Sequence, residues 1–365
     1  MVTRVLLGLI FAACAFAGCP LPKLDSARAY SADELLLSGH FLRARAILDE
    51  AARNHPDDRS VVLLLSRAQA GLGDLDAALK TAEATVAANP ESSDAHVQLA
   101  AVLGRMAERA SMFKQLGLAR RAKKELDAAL ALDVRNLDAL YGLMLYSYAA
   151  PSFIGGDKLK ALEYADTMTA VHPARGYLAQ ARLAKDRKDL AKEEEFYQKS
   201  IAEDPRFYEA LTTLSSFYLS SAKPNYDEAE KYACDALALD PQRVEAWKLL
   251  AELRVETQCW NELDELLTAA QQAVPDDLAP YFSASVALIK RGTHPILAEE
   301  YLRKYESLPT EANEPSAASA HYHRGLALQK LARKDEAAAE MQSALQAEPN
   351  FELAKQELKK LEKNN

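Results

Sequence analysis

The residues that could do chemistry are scattered along this chain rather than grouped. His321 and His323 are the closest histidines, but two positions apart on a helix is about 200° of rotation, so one metal cannot bind both. Gly155-Gly156-Asp157 has the glycines of a phosphate-binding loop without the Lys-Ser/Thr that such loops need. The carboxylate runs at 193–195 and 299–300 fall in helical segments, where a solvated face explains them. The pattern predicts a protein that is not an enzyme and that holds neither a metal nor a cofactor.

The overall composition favours a folded helical protein. The chain has 365 residues, 49% of them hydrophobic, 27% charged and only 7% aromatic, and it is rich in Ala, Leu, Glu and Lys. With 44 basic against 53 acidic residues, it has no excess of cations to neutralise phosphates. A general nucleic-acid binder is therefore disfavoured.

Residues 1–18 are typical of a signal peptide, because Arg4 precedes a run of apolar and small residues too short to span a bilayer. Phe16-Ala17-Gly18-Cys19 resembles the bacterial lipobox, which implies lipidation of Cys19 and a tether at 19–24. Pro20 after the cysteine implies, by the usual sorting rule, the periplasmic face of the outer membrane. Ordinary secretory cleavage after Ala17, which would release a soluble periplasmic or secreted protein, stays open, as does an uncleaved anchor.

The remaining cysteines bear on the redox state of the mature protein. Cys14 leaves with the signal peptide and Cys19 carries lipid, so Cys234 and Cys259 are left to pair in an oxidising compartment. The helical register sets them well apart, and a disulfide needs a short Cα separation. We expect two unpaired, buried thiols, with a Cys234–Cys259 disulfide as the alternative.

A repeat of about 34 residues runs through most of the chain. Prolines recur at the end of similar segments, and three of the successive intervals are 34 residues: Pro56, Pro90, Pro173, Pro205, Pro241, Pro275, Pro309 and Pro349. Small residues stand twelve positions before many of the segment ends, namely Ala44, Ala78, Ala122, Ala161, Ala229 and Ala337, with Glu193 as the polar exception. Small residues allow two helices to cross closely. Their recurrence once per period therefore predicts that each repeat is a pair of packed helices.

This combination of period, small residues and closing proline resembles the tetratricopeptide (TPR) repeat, with 73–78 and 247–251 as the best local matches. The resemblance implies an all-α helix-turn-helix solenoid, a right-handed superhelix of about nine helix pairs, over 25–349. Residues 350–365 then form a capping helix and tail, as the open end of a solenoid requires.

Three inserts interrupt the period. The first lengthens a helix pair between Ser93 and Gly117, either as extra packing or as a projection that shapes a groove. The second, 149–157, is a glycine-rich loop that holds an unusually apolar Phe153-Ile154. Its Ala-Pro-x-x-x-Gly-Gly-Asp run resembles a motif of periplasmic TPR lipoproteins, including those similar to the T component of TRAP-type transporters. The third, 311–316, is a polar loop.

The function that the resemblance implies is protein–protein interaction in a concave groove, as a scaffold in bacterial envelope assembly or secretion. Aromatic, apolar and charged side chains on the first helices of the pairs are the candidate contacts with a protein or peptide, or with a small apolar ligand: Tyr141, Leu145, Tyr148, Phe153, Lys248, Phe282, Ile289 and Tyr322. The alternative is a ligand-binding or partner-docking component of a TRAP-like transport system, which requires a closed apolar cavity near Phe153, Tyr141 and Tyr148.

Overall fold

The computed structural model describes residues 19–22, 30–55, 58–308 and 315–363. The predicted signal peptide and positions 311–314 of the predicted polar loop lie outside these residues. The described part of the chain contains helices and no strand. Its helices are α1 Ala32–Ser38, α2 Phe41–Asn54, α3 Arg59–Gly71, α4 Leu75–Ala88, α5 Ser93–Arg109, α6 Met112–Leu132, α7 Leu137–Ala149, α8 Lys158–Val171, α9 Pro173–Asp186, α10 Leu190–Glu203, α11 Tyr208–Ser220, α12 Tyr226–Leu239, α13 Val244–Glu256, α14 Trp260–Ala273, α15 Ala279–Arg291, α16 Pro295–Tyr305, α17 Ala317–Lys330, α18 Lys334–Ala347 and α19 Glu352–Lys363, with a 3-10 turn at Ser152–Ile154.

The helices form consecutive pairs, each odd-numbered helix packing on the even-numbered helix that follows it. We number these pairs 1 to 9, from α1–α2 to α17–α18, and α19 packs on α18 at the end. First helices of neighbouring pairs also touch, as α11 and α13 or α13 and α15 do, which places them on the inner face of the array. The predicted all-α solenoid of nine pairs with a capping helix is confirmed.

The alanines predicted at the helix crossings are buried, and most have no exposed surface at all. Glu193, the polar exception, is also buried, and its Oε1 accepts a hydrogen bond of 3.1 Å from the Tyr197 hydroxyl. Glu299 is buried between Arg303 and Arg324. A solvated face is therefore the wrong interpretation for these two carboxylates, because each fills a position facing the core and is satisfied there.

Pairs 6 to 8 hold the largest continuous core, which begins at Tyr208 and extends to Ala327 in α17. Trp247 lies at its centre with no exposed surface, and its indole nitrogen donates a 2.9 Å hydrogen bond to the Pro241 carbonyl. Arg254 is buried beside it on α13 and pairs with Glu230 at 2.5 Å and Glu262 at 2.8 Å. A buried charge requires such partners, so the two carboxylates fix the position of Arg254 within this core.

The turn inside several pairs contains one residue with a left-handed backbone, placed just before the second helix. Gly39 and Gly73 supply this conformation at φ +89° and +74°. Lys188, Gln258 and Ala332 adopt it as non-glycine residues, at φ of about +60°. The turn geometry is thus conserved in space even where the sequence lacks the glycine that suits it.

Candidate functional site on the inner face

The array closes on itself between its first pair and the turns that flank pair 7. His40, in the turn between α1 and α2, is 2% exposed. Its Nε2 lies 2.8 Å from the Gln242 carbonyl oxygen, and its Nδ1 lies 3.2 Å from the Asp276 carboxylate. Arg43 adds a longer contact of 3.8 Å to the same carboxylate. Because about six pairs separate the partners, this closure contact brings the first pair of the array against the turns of pair 7.

Electrostatics at the closure contact favour a charged pair. Burial opposes protonation of His40, but the Asp276 carboxylate and the Gln242 carbonyl outweigh it and raise the pKa of the imidazole. Burial likewise opposes ionisation of Asp276, and His40 outweighs it and lowers the pKa of that carboxyl. Both ring nitrogens of His40 face acceptors, which is the arrangement that an imidazolium satisfies.

A cavity of about 430 Å³ lies directly inside the closure contact. Four separate parts of the chain line it: the α1–α2 turn, the end of α5, the start of α13 and the start of α15. Its charged side chains are of both signs, namely Arg105, Glu108, Arg109, Glu245, Lys248 and Asp277. We call this space the charged cavity. Burial raises the pKa of Asp277, whose carboxylate also accepts a 2.8 Å hydrogen bond from the Ala279 amide.

The polar surface continues along the inner face from the charged cavity. Glu245 and Lys248 also border a second hollow of about 360 Å³, together with Thr212, Thr213 and Ser216 of α11 and Glu252 of α13. Burial raises the pKa of Glu252. Within the described residues, Lys248 has no ion pair, although it lies between two carboxylates on its own helix. A half-buried cation and hydroxyl groups that are open to a groove are suited to the polar groups of a peptide.

Lys248 is therefore the predicted groove residue whose position fits the prediction best, since it borders both hollows. Tyr141, Leu145 and Tyr148 of α7 are half-buried and pack together against a small core around Met144 and Met168. The three side chains lie together, as their helical spacing predicts, but much of their surface is used for packing. Their role as contacts stays a prediction.

The predicted groove contact at Phe282 is wrong. Its side chain is 8% exposed and packs against the rings of Tyr305 and His323 at centroid distances of 5.3 and 5.2 Å. Ile289 and Tyr322 are half-buried, Ile289 against the same core and Tyr322 against Phe351. The spacing along a helix cannot tell an inner-face position from a position between two pairs, and that is how Phe282 was misplaced.

Phe153 is 72% exposed and does not line an enclosed space. Its loop is held by Tyr146, whose hydroxyl donates a 2.5 Å hydrogen bond to the Ile154 carbonyl. Gly156 leaves no room for a side chain, since an added Cβ would overlap the Ala150 carbonyl. Asp157 caps α8 by accepting hydrogen bonds from the Leu159 and Lys160 amides. The loop is ordered by its backbone and presents the phenylalanine outward.

His321 lies in a network of acids that resembles a metal site in composition. Ligand atoms of His321, Glu306 and Glu340 lie within 4.8 Å of one another. Arg324, however, donates a 2.7 Å hydrogen bond to Glu306 and approaches Glu340 at 3.2 Å. Its guanidinium already supplies the positive charge that a metal would bring, so the network stabilises the packing of pairs 8 and 9.

Cys234 forms a disulfide with Cys19, and the two Cα atoms are 5.5 Å apart. The expectation of an unpaired Cys234 is therefore wrong, and its partner is not Cys259. Sequence reasoning missed this pair because it assigned the Cys19 thiol to lipid. A sulfur in a disulfide cannot carry a lipid thioether, so the two fates of Cys19 exclude each other.

Models of the tetratricopeptide repeat match residues 35–103 and 318–351. The chain contains tetratricopeptide repeats. Among solved structures, yeast Tom70 is similar over 91% of this chain and 80% of its own, with 15% identity and a TM-score of 0.50. A TPR protein of Parabacteroides merdae is similar over 72% of this chain and 98% of its own, with 19% identity and a TM-score of 0.48. These identities concern the fold alone. No curated protein matches the chain in sequence.

Sequence reasoning missed most of the site around the closure contact. Gly39 and Asp277 line the charged cavity together with Arg109, although 238 positions separate the first two in sequence. They meet only through the stacking of several pairs. No local signal marks them. The lengthened first insert was the one available hint, since its helix α5 carries Arg105 and Arg109 into the charged cavity.

Proposed function

We propose that this protein is an exported TPR scaffold that binds a protein partner on its inner face, with the charged cavity and Lys248 at the centre of the contact. The observation that carries the proposal is the polar hollow formed by four separate parts of the chain. TPR repeats bind protein partners, and this surface presents polar groups of both charges that are open to a ligand. Side chains of both signs fit a peptide segment of mixed charge better than a purely acidic tail.

Charge reversal at the groove tests this proposal. Lys248→Glu removes the cation between Glu245 and Glu252, so we expect the partner captured from the native cell envelope to be lost. The matched control is Lys80→Glu, which makes the same charge change on α4, the second helix of pair 2, where Lys80 is exposed. A partner that is retained equally by both variants would contradict the groove assignment.

Export and tethering are further parts of the proposal. The lipobox-like run before Cys19 supports a lipid anchor in the bacterial envelope, at the periplasmic face of the outer membrane, in an assembly or secretion system. The Cys19–Cys234 disulfide supports the alternative, in which cleavage after Ala17 leaves the Cys19 thiol free to pair. Among the described residues, no helix is long and apolar enough to cross a bilayer.

The intact mass of the mature protein separates these two fates. We expect a chain that begins at Cys19 and carries the mass of a diacylglyceryl group. A chain that begins at Gly18, without lipid and lighter by a pair of hydrogens, would mean secretory cleavage and a disulfide. The Cys234→Ser variant is the control, because it leaves lipidation intact and abolishes the disulfide.

A carrier of an apolar ligand in a TRAP-like system has less support. That function was expected to need a closed apolar cavity near Phe153, Tyr141 and Tyr148. Phe153 is exposed, and the two hollows that Lys248 borders are lined largely by charged and hydroxyl side chains.

A further inference from the structure

The lengthened hairpin of pair 3 projects beyond its neighbours. Helix α5 has 17 residues and α6 has 21, whereas most second helices in the array have 14. Seven additional residues extend a helix by about 10 Å. We call residues 104–124, which contain the end of α5, the turn and the start of α6, the basic tip. The part of α6 near its start lacks a deep core, since Ala122 is its first buried residue.

The basic tip carries an unusual concentration of positive charge. It has seven basic side chains and one acidic, Glu108, which gives a net charge of +6 in a chain whose total is −9; the basic residues are Arg105, Arg109, Lys114, Arg120, Arg121, Lys123 and Lys124. Arg121 pairs with Glu83 and Lys123 with Asp127. Among the described residues, Lys114, Arg120 and Lys124 lie outside the charged cavity and have no ion pair. The stability of the fold does not explain three cations left in solvent.

Two large apolar side chains stand at the apex of this tip. Met112 and Phe113 open α6 and are 71% and 87% exposed. An exposed Met-Phe pair costs solubility and contributes nothing to the core of its own chain. Apolar side chains surrounded by Lys and Arg are the combination that proteins use to sit at the boundary of headgroups and acyl chains.

The neighbouring turn of pair 4 extends the same surface. Gly155 lies against the Lys123 side chain of α6 and the Tyr146 ring, so the loop with Phe153 is docked beside the basic tip. Leu159, at the start of α8, is 74% exposed. Lys158 and Lys160 flank it, with ammonium groups 5.3 and 5.7 Å from the rings of Tyr148 and Tyr164. Apolar and basic side chains therefore alternate over two adjacent turns on one edge of the array.

We propose that this edge, formed by the basic tip and the Phe153 turn, is a docking surface for an anionic phospholipid bilayer. Met112, Phe113, Phe153 and Leu159 enter the interfacial layer, and the unpaired cations contact lipid phosphates. The net charge of +6 opposes that of the whole chain, which is the complementarity that a negatively charged membrane requires. Arg105 and Arg109, at the base of the tip, also line the charged cavity, whereas Met112, Phe113 and Lys114 do not. The docking surface therefore rests on the apex and the start of α6, and it holds whether or not the scaffold function or the lipid at Cys19 is correct.

Vesicle binding of the full chain tests the proposal, with Cys19→Ser in every sample so that no lipid anchor contributes. The probes are vesicles of equal parts phosphatidylethanolamine and phosphatidylglycerol, and vesicles of phosphatidylcholine alone. We expect binding to the anionic vesicles, weakening as salt is added, and little binding to the neutral ones. Neutralising Lys114, Arg120 and Lys124 to Gln should lower the affinity at least tenfold, since each basic residue contributes about fivefold at an anionic surface.

Two further variants make the result specific to this edge. Met112→Ser with Phe113→Ser should weaken binding severalfold while the charge is unchanged. The control neutralises Lys355, Lys359, Lys360 and Lys363 of α19, a helix whose four lysines are balanced by three glutamates, and should bind as the parent does. Helical circular dichroism verifies the fold of each variant.

Three outcomes would overturn the proposal: no binding to anionic vesicles, equal loss in the α19 control, or binding that survives neutralisation of the tip. Polyglutamate is the competing probe. A tip-dependent complex with polyglutamate without binding to vesicles would assign this edge to an acidic protein segment instead.

Discussion

Pairs 6 to 8 and pairs 3 and 4 are built from the same repeat, yet their side chains are used differently. Pairs 6 to 8 keep close to the 34-residue period and share one continuous core. Pairs 3 and 4 carry the inserts, have two smaller cores, and expose Phe113 and Phe153. Where the period is kept, large residues stabilise the stacking of the pairs. Where the period is broken, large residues such as Phe113 and Phe153 are exposed and are available to contact a partner or a membrane.

The largest expected contrast is between two aromatic residues. Trp247→Ala should lower the free energy of unfolding by about 3–5 kcal/mol, because it empties the centre of the core. Phe113→Ser should change it by no more than about 0.5 kcal/mol, because the ring is in solvent. Urea unfolding followed by circular dichroism measures both. A large cost at Phe113 would mean that the tip is part of the core and would remove the contrast.

Removing an ion pair should likewise cost more stability in pairs 6 to 8 than in pair 3. Glu230→Gln leaves Arg254 buried with only Glu262 as a charged partner, at an expected cost of about 3 kcal/mol. Glu83→Gln removes the exposed pair with Arg121 at the tip and should cost less than about 1 kcal/mol. Thermal unfolding of both variants gives the comparison. Equal shifts in Tm would show that burial does not decide the strength of these pairs.

The charged cavity joins the two regions, since α5 of pair 3 and the start of α13 in pair 7 both line it. The closure contact beside it should depend on pH. The pKa of His40 is raised from its ordinary 6.5, so its stabilising contribution is present below that value and is lost as the pH rises through the folded-state pKa. The pKa of Asp276 is lowered from 3.8, so its contribution is lost only as the pH falls through that lower value. The pair therefore stabilises the closure between the two limits.

His40→Gln should remove a stabilisation of about 1 kcal/mol at mildly acid pH and less at alkaline pH. The measurement is the difference in unfolding free energy between wild type and variant across that range. Arg43 and Asp277 also face this site, and Asp276→Asn is the control that should abolish the same pH dependence. Two parallel curves for wild type and His40→Gln would rule out a titrating closure.

The sequence predicts the elements of this fold better than the site that they form. The period, the crossing alanines and the closing prolines locate nine pairs, because each pair is stabilised by neighbours close in sequence. The closure contact depends on curvature summed over several pairs, so no spacing predicts that His40 meets Asp276. Phe282 shows the same limit on a smaller scale. The helical spacing predicts which residues share one face of a helix. Whether that face lines the groove or is buried depends on how the neighbouring pair packs against it.

The smallest expected effects lie in the turns, where the regular pairs carry a local cost. Gln258 and Ala332 have the left-handed backbone that Gly73 adopts in pair 2. A left-handed conformation costs an L-residue about 1–2 kcal/mol. Gly also loses more entropy on folding, about 0.5–1 kcal/mol, so Gln258→Gly and Ala332→Gly should each stabilise the protein by only about 0.5 kcal/mol. Gly73→Ala is the inverse control and should destabilise it. Chemical unfolding of the three variants resolves the signs, and a loss of stability at Gln258 and Ala332 would show that their side chains contribute more than the backbone strain costs.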